Sequence, residues 1–174
     1  MSCVSENIDD VQASAPALQV LILHQRTKGD IFGEVAHSEP IGSLKFINPR
    51  ALYDPIPNAY SHLAVFPAGW RMIIPAAQGG ENAGGELSPS FATQLRQTLD
   101  DTEAMLAAAG GRMSDVAKFN PLTVDHSDTK SDVVRKEFDR VWGETKPAWT
   151  LIPVQTLALP GTLVEIDVIA VVPR

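Results

Sequence analysis

The chain has 174 residues, 44% of them hydrophobic and 20% charged, a length and composition that suit one globular domain with a sizeable core. The net charge is −7 and the pI about 5.0, and Lys and Arg occur singly or in pairs, which argues against the basic face that nucleic-acid binding needs. One cysteine, Cys3, rules out an internal disulfide and a thiolate metal cluster.

Residues 1–16, MSCVSENIDDVQASAP, are polar and predict a flexible tail. LQVLILH at 18–24 has strand length, and TKGD and HSEPIG read as turns. Residues 1–44 therefore form an N-terminal extension to a compact domain at 45–174 that starts near SLKFINP. The start lacks a basic segment followed by an apolar run, and no apolar run is long enough for a bilayer, so a cytoplasmic protein without membrane contact is expected.

Two β-like runs, 61–66 and 70–77, are separated by Pro67-Ala68-Gly69 and predict a hairpin, with Pro75 ending or bulging the second. QGGENAGGE at 78–86 is a glycine-rich loop without a phosphate-binding pattern, suited to a mobile loop beside a cleft. A helix is predicted from Ser88 to about Ala109, with Ser88 as N-cap and Pro89 at the first helical position. Its buried stripe is Phe91, Leu95, Leu99, Thr102, Leu106 and Ala109, and Gly110-Gly111 stops it.

DVAKFNPLTV at 115–124 predicts a strand interrupted at Asn120-Pro121. A second helix is expected over 131–142, capped by Thr129 or Ser131, with Val133 or Val134, Phe138 and Val141-Trp142 inward. Arg135, Lys136, Glu137 and Arg140 form its solvated side, and Gly143 ends it. Strands at 149–159 and 163–172 close the chain. The order ββ-α-β-α-ββ predicts an α+β fold, one sheet with two helices on one face.

The segments YSHLAV…GWRMIIPAAQ, AAAGGRMSDVAKFNPLTV and KPAWTLIPVQTLALPGTLVEIDVIAV together resemble the YjgF-like family, also called Rid, for reactive intermediate deaminase. The resemblance covers about residues 44–172. It implies a chorismate-mutase-like fold assembled as a homotrimer, with three clefts between subunits that take a small-molecule ligand and no cofactor. Active members hydrolyse enamines and imines to keto acids and ammonia. An arginine directly after Pro-Ala binds the substrate carboxylate, and a glutamate of the last strand positions water.

Carried over residue by residue, Tyr60 and Ser61 match the family's Tyr-Ser, Gln78 its glutamine, and Glu165 the catalytic glutamate. Three positions depart from the pattern. Trp149 stands in place of the arginine, Leu151 where many members have cysteine, and Ala76-Ala77-Gln78 replaces Ser-Gly-Gln. A guanidinium grips a carboxylate with two charged hydrogen bonds, each worth roughly 1.5–3 kcal/mol. Their loss amounts to about 3–6 kcal/mol, on the order of 10²–10⁴ in affinity. The resemblance thus points to a metabolite-binding protein without the usual imine deaminase activity, or to a deaminase or hydrolase of a less carboxylate-dependent substrate in which Glu165 aims water.

Each of these residues also has a plainer reading. Trp149 can simply fill core, Glu165 can sit on a solvated strand face, and Tyr60 and Ser61 can be turn residues. Arg71 is the nearest upstream cation that could replace the lost arginine, although an ordinary exposed arginine is the simpler reading. His62 could face the cleft or lie at an edge. His24, His37, His62 and His126 lack metal-ligand spacing, so no metal site is expected. RNA cleavage or translation inhibition, attached to some relatives, fits least with an acidic chain.

Overall fold

The computed structural model describes residues 42–174. The expected tail at 1–16 and strand at 18–24 lie outside the described residues. The strands are β1 (Lys45–Ile47), β2 (Leu63–Val65), β3 (Arg71–Ile73), β4 (Val116–Val124), β5 (Ala148–Trp149), β6 (Ile152–Val154) and β7 (Val164–Val172), with helices α1 (Phe91–Ala108) and α2 (Asp128–Trp142). The α+β class holds.

Sheet pairing corrects two expectations. The 61–66 and 70–77 runs do not pair as a hairpin: β2 pairs antiparallel with β1, and β3 pairs antiparallel with β7. Two sheets result, β1-β2 and the five-stranded β3-β7-β4-β5 with β6 also on β4. The expected strand at 149–159 is two short pieces, β5 and β6, both parallel to β4.

Nor does β4 break at Asn120-Pro121; its irregularity falls between Val116 and Lys118. Phe119 accepts a hydrogen bond from Thr150 N through its carbonyl, and strand residues two apart point their backbone groups to the same edge. Pro121 therefore turns its missing N–H toward the gap where β5 has ended and β6 has not begun, so the break falls in the neighbouring strand.

The helices are capped two to four residues away from the expected positions. Ser90, not Ser88, caps α1 by accepting from Thr93 N, while Ser88 Oγ accepts from Ser90 N. Ser127, extended and placed before Asp128, caps α2 by accepting from Lys130 N. Gly110, at φ +74, turns the chain away after α1, and the α1 C-terminal carbonyl of Ala109 accepts from Arg71 Nη2 at 2.9 Å.

Both helices cover one sheet face. Leu95 and Leu99 of α1 and Val134 and Phe138 of α2 are buried with Phe119, Ile166 and Val168. Burial along β7 alternates as its sequence predicts, with Val164, Ile166, Val168 and Ala170 inward and Glu165, Asp167 and Ile169 half-buried on the opposite face.

Glu137 is not on the solvated side of α2. It is buried between the helices, where it accepts from Arg96 Nε at 2.7 Å and Arg140 Nε at 2.8 Å. Burial by itself raises its pKa, but the hydrogen bonds from Arg140 and Arg96 and their charges outweigh burial and leave the carboxyl below 4.5. A lowered folded pKa stabilises above the unfolded value and is lost as pH falls through the folded one. Glu137→Gln is expected to lower Tm above about pH 5, with the gap to wild type closing as the pH drops below 4.5, read by thermal unfolding across pH. A gap that widens on acidification would contradict the ion-pair assignment.

Candidate functional site

The Pro147-Ala148-Trp149 step is set by the end of α2. Gly143, at φ +53, stops the helix, and the buried Lys146 ammonium donates to the Gly143 carbonyl at 2.6 Å and to the Asp139 carboxylate. That clamp satisfies helix-end groups and delivers Ala148 and Trp149 into β5 beside Phe119.

Residues 59–61 are tied to β5 by two hydrogen bonds. Trp149 Nε1 donates to the Ala59 carbonyl at 2.8 Å, and Ser61 N donates to the Pro147 carbonyl at 3.1 Å. Ala59 follows a single 3-10 turn (Ile56–Asn58) and takes the left-handed conformation at φ +59, which costs a non-glycine residue about 1–2 kcal/mol. The two bonds hold it there, with Tyr60 between them.

Trp149 is half-buried in an aromatic cluster. Its ring stacks on Phe119 at 5.8 Å between centroids, meets Phe138 edge-on at 5.4 Å and Tyr60 at 5.9 Å. Tyr60 continues to His62 and Tyr53 through edge contacts at 5.4 and 6.3 Å. His62 is engaged here, its Nε2 at 2.9 Å from the Tyr53 carbonyl.

A cleft of about 620 Å³ opens over these rings. Tyr53, Asn58, Tyr60, Trp149 and Leu151 form one wall, and His126, Asp128, Ser131, Asp132 and Arg135 from the β4–α2 turn and α2 form the other. Arg135 pairs with Asp132, and His126 Nε2 lies 3.4 Å from Ser131 Oγ. Sequence reasoning missed this second wall and left Arg135 to solvent. The missed signal is spacing: 128, 131–132 and 135 fall on one face of a helix.

The expected site residues other than Ala76 fall into three places within the chain. Tyr60, Trp149 and Leu151 share the large cleft. Gln78 and Glu165 line a second cleft of about 260 Å³ with Glu81 and Thr162, where Gln78 exchanges backbone hydrogen bonds with Ile166 at 2.8 and 3.0 Å. Ser61 is buried beside a third depression with Lys146 and Asn48. Ala76 is exposed and lines none of these clefts; its carbonyl lies 3.4 Å from Gln78 Nε2. Arg71 donates to the Ala109 carbonyl at the end of α1 and lines none of these three clefts.

Strand register explains the separation of Trp149 from Glu165. Trp149 and Val168 both stand opposite Phe119, on the helix-covered face, whereas Glu165 stands opposite Leu122, an odd number of residues away. Residues an odd number apart project from opposite faces. Within one chain, then, the indole and the carboxylate lie on different sides of the sheet. Thr162 Oγ1, buried in the second cleft's lining, has no hydrogen-bond partner among the described residues. The described residues hold no group of three or more His, Cys, Asp or Glu arranged to bind a metal, and no helix long and apolar enough to cross a membrane.

Comparison with known proteins agrees with the resemblance read from the sequence. Residues 54–172 match the family described as Endoribonuclease L-PSP. RutC family protein YjgH of Escherichia coli K12 is 29% identical, over 64% of this chain and 95% of its own. Among solved structures, YyfB of Yersinia pestis, from the conserved Rid protein family, superposes with a TM-score of 0.70 at 29% identity, covering 75% of this chain and 99% of its own. RidA from the Antarctic bacterium Psychrobacter sp. PAMC 21119 superposes with a TM-score of 0.54 at 30% identity, covering 65% and 88%. With its fold and a family match over residues 54–172, most of its length, the chain belongs to the endoribonuclease L-PSP family, the YjgF-like or Rid proteins.

Proposed function

We propose that this protein binds a small metabolite in clefts between the subunits of a homotrimer and lacks the arginine-dependent deamination of imino and enamine acids. One observation carries the reading. At the position after Pro-Ala, the only polar atom of the Trp149 side chain is spent on the Ala59 carbonyl, so that side chain has no donor left for a carboxylate. The trimer is supported by β3, which among the described residues pairs only with β7, and by the exposed Met72 on it and Ile74 just after it. Assembly through the sheet is what would bring the second cleft of one chain toward the large cleft of another.

Light scattering at micromolar concentration should give three times the 18.8 kDa chain mass, and a monomer would contradict the proposed assembly. With a serine/threonine dehydratase or an amino-acid oxidase generating the imine, added protein should leave its loss at the uncatalysed rate. Acceleration comparable to that of an arginine-bearing relative would overturn the reading.

A second reading, a hydrolase or deaminase of a less carboxylate-dependent substrate, has its own support. Glu165, Gln78 and the unpartnered Thr162 hydroxyl share one small cleft, a setting able to hold a water beside a carboxylate. Under that reading, Glu165→Ala abolishes whatever turnover a substrate screen finds; unchanged turnover rejects the role.

A further inference from the structure

The large cleft carries information about the kind of ligand it accepts. Its aromatic wall offers ring surface from Tyr53, Tyr60 and Trp149, and the indole has no donor to spare. The opposite wall is acidic. Asp128 makes no hydrogen bond or ion pair among the described residues, and Asp132 and Arg135 neutralise one another. The N-terminal turn of α2 would ordinarily draw an anion, but Asp128 already occupies it and Ser127 satisfies the Lys130 N–H. A carboxylate entering here would meet the Asp128 carboxylate, which has no ion-pair partner among the described residues, and have to compete with Asp132 for Arg135.

We infer that the Trp149 cleft selects a ligand carrying an ammonium group, seated against the aromatic wall and balanced by Asp128. Ring faces attract cations through the negative potential above the π system, tryptophan most strongly, and a carboxylate opposite completes the complement. The preference is the reverse of that expected of an arginine at the position of Trp149. The inference rests on the proposal that this cleft is the ligand site, and it adds the ligand's charge.

The test uses three compounds of nearly one shape and different charge: choline, the neutral 3,3-dimethylbutan-1-ol, and the anion 3,3-dimethylbutanoate. Each is titrated into the full-length protein while the Trp149 indole N–H and His126 ring resonances are followed. Choline is expected to shift both saturably in the millimolar range, at least tenfold more tightly than either of the others. Asp128→Asn should weaken choline several-fold, and Arg135→Gln, which frees Asp132, should strengthen it several-fold.

Equal or tighter binding of the neutral or anionic compound at Trp149 overturns the charge preference while leaving the cleft as a ligand site. Weaker choline binding in Arg135→Gln overturns it too, as does failure of all three to bind. Imine loss, assayed separately, decides the underlying reading and is indifferent to the order of the three affinities.

Discussion

Trp149→Ala is expected to destabilise the protein by about 3–4 kcal/mol, a loss near 10 °C in Tm for a domain of this size. Removing a large aromatic side chain from a packed cluster costs about 3–5 kcal/mol, and half-burial places this one at the lower end. The substitution also strands the carbonyl of Ala59, a residue only 3% exposed, and withdraws one of two bonds holding residues 59–61 in place. Trp149→Phe separates the contributions. It keeps an aromatic ring against Phe119 but loses the N–H and part of the ring area, for about 2 kcal/mol. Urea unfolding of both variants reads the difference; a loss below about 1 kcal/mol for the alanine variant would mean that the indole is not part of the cluster.

Gly80→Ala is expected to cost about 3 kcal/mol or more, at the upper end of what overpacking does. A Cβ at Gly80 would lie 2.5 Å from the Cα and Cβ of Gln94 and 2.7 Å from its carbonyl oxygen. These are mostly backbone atoms of α1, which cannot swing aside as the end of a flexible side chain would. Glycine is required here by close approach, and that approach presses the loop carrying Gln78 and Glu81 against the helix. The position is informative because the neighbouring loop glycine offers a control: Gly85→Ala meets no atom within 4 Å and suffers only its positive φ of +77. Near-equal losses in the two variants, measured by thermal unfolding, would contradict the packing of the loop on α1.

The residues that sequence reasoning read well are those whose burial follows a period. The α1 stripe through Phe91, Leu95, Leu99 and Leu106 and the alternation along β7 needed only helix and strand geometry. Apart from Thr102, buried polar residues escaped it. Gln94 is fully buried because its amide donates to the Ser88 and Gly161 carbonyls and its oxygen accepts from Leu163 N, partners up to 69 residues away that no local pattern shows. Glu137 is the same case with two arginines. Strand pairing was also out of reach, since a three-residue loop suits a hairpin locally while β2 and β3 find their partners elsewhere. At the site, Trp149 was legible only as a residue type next to Pro-Ala. Its orientation, its bond to Ala59 and the wall supplied by α2 required the fold.

The central claim is that this family scaffold no longer holds a carboxylate at the position after Pro-Ala, and product binding tests it most directly. In a titration of the 15N-labelled protein with 2-oxobutyrate, the keto acid expected from a threonine-derived imine, the Trp149 indole N–H should stay in place, hydrogen-bonded to Ala59, with no saturable shift up to tens of millimolar, about the 10²–10⁴ weakening that loss of the guanidinium implies. A saturable shift of that resonance at submillimolar 2-oxobutyrate would contradict the account.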